Sequence, residues 1–179
     1  MLVLGIDPGS VAAGWGLVRR EGSRLSHVDA GVLRPPKGAA FADRLAFLHD
    51  AITTVVQTHR PDAFAIESVF SHNNARSALQ LGHARGIFLL AAAQASLEVH
   101  EYTPATVKKA ITGNGAAEKS QVRFMVERLL GVVIEGPMDR SDALAVAICH
   151  AQSGPLMARA KAQSSKPTTA RPKLRRTKG

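Results

Sequence analysis

The chain opens on Leu2-Val3-Leu4-Gly5-Ile6, an unbroken apolar run closed by Asp7-Pro8-Gly9-Ser10. A strand with one wet face alternates apolar and polar residues; a strand with no polar side is covered on both faces. The run therefore predicts a central strand with a layer above and below it. Turn chemistry ends it and leaves Asp7 at its carboxyl end.

Segments 13–19 and 25–33 read as two more strands, joined by a turn at Glu21-Gly22-Ser23. Links this short favour antiparallel pairing of strands one, two and three. Leu45, Leu48, Ile52, Val55 and Val56 fall at helical spacing and predict a helix over 41–58, stopped by His59-Arg60-Pro61. Ala63-Phe64-Ala65-Ile66 is a second buried strand, ending at Glu67. A long helix is predicted over 73–97. Its stretch Ile87-Phe88-Leu89-Leu90-Ala91-Ala92-Ala93 is apolar all round, and a sheet covers only one side, so something else must cover the other. Residues 98–102 form a short strand. Thr103-Pro104 supplies an N-cap with Pro at the first helical position, and that helix ends near Gly113-Asn114-Gly115. Helices over about 117–130 and, after Gly136-Pro137, to about 152 complete the chain. The order βββαβαβα, with extra helical pieces, predicts an α/β fold: a mixed five-stranded sheet flanked by helices.

Charge divides the chain in two. Residues 151–179 hold Arg159, Lys161, Lys166, Arg171, Lys173, Arg175, Arg176 and Lys178 and no acid. That is +8 of the net +9; the other 150 residues balance 15 basic against 14 acidic side chains. The expected organisation is a folded domain over 1–153 and a basic tail over 154–179. The tail has too little apolar surface to offset its ordering entropy and is expected to be disordered. A chain this basic points to a polyanionic partner, above all nucleic acid. The single cysteine, Cys149, excludes a disulfide framework and Cys-rich metal clusters and fits a reducing, cytoplasmic setting. No apolar run reaches the roughly 18 residues of a membrane helix, and no basic leader precedes the first strand.

Four acids stand out by position. Asp7 and Glu67 end the two buried strands, where ligands gather in open α/β sheets. Asp139 and Asp142 lie three residues apart in the first turns of the last helix, on one face. Singly, Asp7 reads as a turn residue, Glu67 as an exposed strand end and Asp139 as a favourable charge at a helix start. Asp142 resists such a reading, because it precedes the buried run Ala143-Leu144-Ala145-Val146-Ala147-Ile148. Together, acids at a partly apolar site repel one another unless a cation lies among them. An all-oxygen set suits Mg²⁺ or Mn²⁺, and a pair of such ions could activate water and stabilise a leaving oxygen in phosphodiester hydrolysis.

The segments Gly5-Ile6-Asp7-Pro8-Gly9-Ser10, Glu67-Ser68-Val69-Phe70, Leu81-Gly82-His83-Ala84-Arg85-Gly86, Ala117-Glu118-Lys119-Ser120-Gln121-Val122 and Asp139-Arg140-Ser141-Asp142-Ala143-Leu144-Ala145 together closely resemble the RuvC family, the bacterial Holliday junction resolvases. The resemblance runs from residue 1 to about 152, with the motifs in the family's order. It implies an RNase H-like fold and a homodimeric, metal-dependent endonuclease that nicks two opposing strands of a four-way DNA junction in recombination and repair. It implies Asp7, Glu67, Asp139 and Asp142 as catalytic, metal-binding carboxylates. It matches Lys108 and Lys119 to basic residues near the active site and Phe70 to an aromatic that stacks on a base. It implies RuvA and RuvB as branch-migration partners. The basic tail is no part of the matched motifs.

From the residues themselves, Phe70 lies in a polar segment, where it either folds back on the core or stacks on an unpaired base. Lys108 and Lys109 point about 100° apart on a helix, so one can face the site while the other is solvated. Lys119 opposes the dipole at a helix start, which mildly favours a binding role. Arg76 and Arg85 are candidate phosphate contacts, with ordinary exposure as the plainer reading. His72, His83 and His150 have no metal-triad spacing, Cys149 reads as a core thiol, and Trp15 as packing under the sheet. Competing readings are an RNase H or YqgF-type RNA-processing nuclease, an actin-like ATPase using Gly5 to Ser10 as a phosphate loop, and a non-catalytic DNA-binding module. The chain is short for the two-lobed ATPase fold, and four placed acids would repel DNA in a simple binding module.

Overall fold

Leu2–Asp7 forms β1, and its side chains alternate between two separate cores. Val3 packs with one cluster, while Leu2, Leu4 and Ile6 pack with the other. The opening apolar run is thus covered on both faces, as its lack of a polar side demands. The structure is a computed structural model and describes residues 1–68 and 74–164, with side chains to residue 153.

β2 (Ala13–Glu21) and β3 (Arg24–Leu33) follow as antiparallel neighbours. β4 (Ala63–Glu67) and β5 (Val99–Tyr102) add in parallel on the other side of β1. The sheet order is β3-β2-β1-β4-β5, the mixed five-stranded sheet that the sequence predicts. Helices α1 (Phe41–His59) and α2 (Ala75–Gln94) bury Leu48, Ile52, Val56, Ala84, Phe88, Ala91 and Ala92 on one face. Helices α3 (Pro104–Thr112), α4 (Lys119–Leu130) and α5 (Met138–Ser164) cover the other. The Thr103 hydroxyl accepts from the Thr106 N–H, so the predicted cap is in place.

α5 lies directly on the sheet. A Cβ built at Gly5 would stand 2.2 Å from the Ala143 carbonyl oxygen, and one at Gly14 would stand 2.0 Å from that of Asp139. Side-chain-free positions on β1 and β2 let the helix backbone settle against the strands. α3 and α4 then pack on its outer side. Trp15 packs beneath the sheet beside His59, and Cys149 is buried, both as expected.

α2 is shorter than the predicted 73–97 and α4 starts two residues later than predicted, but the large difference is at the end of the chain's last helix. The sequence ends the last helix near residue 152, whereas α5 continues through Gly154 and Pro155 to Ser164. Residues 156–163 are Leu-Met-Ala-Arg-Ala-Lys-Ala-Gln, nearly all strong helix formers, and their summed propensity outweighs the Gly-Pro step. The basic segment therefore begins inside a helix.

Candidate active site

β1 and β4 are parallel neighbours with Ile6 opposite Ile66, so Asp7 and Glu67 emerge side by side at one edge of the sheet. α5 begins over the same edge. Its first turn carries Asp139, and its second turn brings Asp142 down beside the strand ends. Asp7, Glu67 and Asp142 line one cleft of about 200 Å³ with Lys108, Lys119, Pro104, Val107, Val122 and Ala145. Asp139 is the one acid of the four that does not line it. It stands at the rim, 3.6 Å from the Arg34 guanidinium.

The cleft is electrostatically loaded. Burial, and then repulsion by Glu67 and Asp142, raise the Asp7 carboxyl to about 7. Burial likewise raises Glu67, with Asp142 adding to the shift and Lys119 and Lys108 opposing it. The Lys119 ammonium donates to Asp142 Oδ2 at 2.9 Å, and that bond raises its own pKa. Asp142 is 14% exposed and Lys119 70%, so a solvated cation reaches in to a half-buried acid. Lys108 is half-buried and faces the cleft, whereas Lys109 is exposed. The geometry thus distinguishes two lysines that the sequence leaves equivalent.

The residues fit a hard divalent cation in donor type, and three of the four acids share the cleft. All four acids offer oxygen, and Asp7, whose pKa is raised first by burial and then by repulsion from Glu67 and Asp142, is an anion that a cation would stabilise. The acids do not close into a cage as they stand. Among the described residues, no three His, Cys, Asp or Glu side chains converge to hold an ion. Instead, Lys119 neutralises Asp142 and Arg34 neutralises Asp139.

Other expected residues lie apart. Phe70 and His72 fall outside the described residues. Arg76 is exposed at the start of α2, where its backbone N–H is capped by Asn74, and it does not line the cleft. Arg85 is tied to Glu101 at 2.5 Å across α2 and β5, so it is a structural cation here.

Three residues have roles that the sequence does not assign. Arg34 stands one residue beyond β3. Arg44 of α1 donates to the Ser10 carbonyl and pins the turn that follows Asp7, while its guanidinium lies over the Phe41 ring. His150 hydrogen-bonds the Tyr102 hydroxyl through Nδ1 at 2.8 Å and stacks on His100 at 4.1 Å, joining α5 to β5. Burial pushes His150 down to about 4, so it is neutral at physiological pH. Arg34 has a weak signal, since it follows the edge strand predicted to run towards the Asp7 end of the sheet.

Comparison with known proteins fits this arrangement. Residues 3–150 match the family described as crossover junction endodeoxyribonuclease RuvC. The relative from Caulobacter vibrioides is 51% identical over 149 residues, covering 83% of this chain and 88% of that protein. The relative from Zymomonas mobilis is 52% identical over 152 residues, covering 84% and 90%. Thermus thermophilus RuvC, solved in complex with a Holliday junction substrate, superposes with a TM-score of 0.83 at 33% identity over 88% of this chain and 96% of that one. Sequence, fold and cleft agree: the chain belongs to the RuvC family of crossover junction endodeoxyribonucleases, enzymes that hydrolyse phosphodiester bonds in DNA to resolve Holliday junctions.

Proposed function

We propose that this enzyme nicks two opposing junction strands symmetrically, using Asp7, Glu67, Asp139 and Asp142 as the ligands of Mg²⁺ or Mn²⁺, two ions per site. The observation that carries this reading is the meeting of Asp7, Glu67 and Asp142 in one cleft with Lys108 and Lys119. Bound ions would supply Lewis-acid activation of the phosphate and lower the pKa of the attacking water. The chain's own residues do the rest. Lys108 and Lys119 draw the scissile phosphate to the acids and offset its charge. Val107, Val122 and Ala145 exclude water along one wall, which strengthens every charge interaction inside. Asp7, at about 7, must give up its proton before it can act as a full anionic ligand.

Symmetric cutting needs two sites related by a two-fold axis. α2 offers the surface. Leu79 and Leu90 are 63% and 47% exposed, and Gly82, Gly86 and Ala93 are exposed between and beyond them. These five recur at three- and four-residue steps, so they form one outward stripe. Two copies pairing there would cover the apolar turn that the monomer leaves open. Leu89, by contrast, packs on the core, so Leu90 is the informative position. Phe70, Arg76 and the cations of residues 165–179 are read as further DNA contacts, and RuvA and RuvB as partners in the cytoplasm. No helix among the described residues is long and apolar enough to cross a membrane.

The test is a synthetic four-way junction incubated with and without divalent metal, beside an RNA–DNA hybrid. Metal-dependent, paired nicks in the junction are expected. Cleavage of the hybrid with the junction left intact would sink the reading. Removal of residues 165–179 should flatten the salt dependence of binding to junction and linear duplex alike. The log–log slope should fall by roughly 0.9 for each phosphate no longer neutralised. An unchanged slope would show that those cations do not touch DNA.

A further inference from the structure

The two acids of α5 are each held by a cation from another element, and the two cations are placed differently. Lys119 reaches Asp142 from within the cleft, while Arg34 reaches Asp139 from outside it. The fold sets the second contact. Leu33 pairs with Ala13 at the end of the sheet, next to Gly14, and the Asp139 backbone rests on Gly14. Arg34, the next residue after Leu33, thus emerges beside Asp139 and lies 3.6 Å from its Oδ2. The arginine side chain is 56% exposed and the aspartate 36%, so the guanidinium is open to a large partner approaching the cleft.

A guanidinium presents a planar fork that matches a phosphate diester at least as well as a carboxylate. A DNA backbone laid across the cleft brings phosphates past this rim. We propose that Arg34 is a positioning residue: it holds Asp139 off the cleft in the free enzyme and releases it to the metal site when a junction phosphate takes the guanidinium. The inference rests on the four-acid metal reading above. It makes metal loading and DNA binding mutually reinforcing, because any factor by which phosphate aids one must aid the other. An ion pair this exposed limits that factor to about fivefold.

The test uses the full chain without DNA, with Mn²⁺ as the probe and its free paramagnetic signal as the readout. Arg34→Gln should bind Mn²⁺ about two- to fivefold more tightly than wild type, and Arg34→Lys should behave as wild type. Asp139→Asn should bind more weakly, and adding Arg34→Gln to it should restore nothing. A second measurement follows junction binding in EDTA against salt, where Arg34→Gln should lower the log–log slope by about 0.9 and Arg34→Lys should not. Unchanged Mn²⁺ affinity in Arg34→Gln beside a weakened Asp139→Asn overturns this inference alone, as does an unchanged salt slope. Mn²⁺ affinity unaffected by Asp139→Asn overturns the four-acid reading and this inference with it.

Discussion

Helices α5 and α2 each contain a run that is apolar on every side, residues 143–148 in one and 87–93 in the other. In α5 the whole run is buried, pressed between the sheet and the pair α3 and α4. In α2 only the side facing α1 and the sheet is buried, and Leu90 and Ala93 lie open. The same composition therefore serves two ends. One helix uses its apolar girth to fix acids against the strand ends. The other leaves part of its girth exposed, the face on which the proposed dimer would pair. Periodicity reports that a cover is needed; only the packing shows whether the chain supplies it.

The contrast is sharpest at the glycines. Gly5→Val should drive a side chain into the α5 backbone and cost more than about 3 kcal/mol, leaving little folded protein. Gly82→Ala and Gly86→Ala, with nothing within 4 Å of either added Cβ, should leave the monomer folded and gain up to about 1 kcal/mol of helix propensity each. Thermal melts of the three variants decide the matter, and a stable Gly5→Val would refute the close seating of α5.

Function should divide the same way. Asp142→Asn should lower cleavage by about 10²–10³-fold or more while leaving junction binding and assembly intact. Leu90→Glu should abolish dimerisation in sedimentation at micromolar concentration, yet change monomer stability by no more than about 0.5 kcal/mol. A Leu90→Glu protein that still sediments as a dimer places the interface elsewhere.

A subtler difference concerns the titration of Asp7 under α5 and of His150 on it. Asp7 has its pKa raised, so its protonated form favours folding, and that contribution is lost as pH rises from about 4 through 7. His150 has its pKa lowered, so its contribution is present above about 6.5 and lost as pH falls towards 4. The two oppose each other over most of the same window. Metal-free Asp7→Asn should therefore melt higher than wild type at pH 8 and lose stability more steeply on acidification. Added Mg²⁺ should raise the wild-type melting temperature more at pH 8 than at pH 5. If Asp7→Asn melts lower at pH 8, the strain assigned to the acid cluster is absent.

Much of this architecture is legible in the residues. The antiparallel pairing of the first three strands, the mixed sheet and the carboxyl-end placement of Asp7 and Glu67 follow from two apolar runs and short connections, whereas the places of β4 and β5 in the order come from the structure. Less can be read where partners come from distant parts of the chain. Nothing local to Lys119 names Asp142, 23 residues away, as its partner. Nothing near Arg34 announces an acid on the last helix. Lys108 and Lys109 are inseparable until α3 has a facing direction. The end of α5 is hidden because Gly-Pro is a strong stop signal locally, and the propensity of the following eight residues outweighs it.

The seating of α5 on Gly5 and Gly14 carries a consequence for any survey of tolerated substitutions. Neither glycine lines the cleft, yet both should prove as immutable as the acids, and a map of loss-of-function positions would merge them with the chemistry. Abundance separates the two classes. If the acids act as proposed, their variants should accumulate as intact, inactive protein and poison a mixed population by occupying junctions. Variants at the glycines vanish and leave the wild-type copies to work undisturbed. Dominance, rather than severity, is what would mark the catalytic positions of this enzyme in a cell.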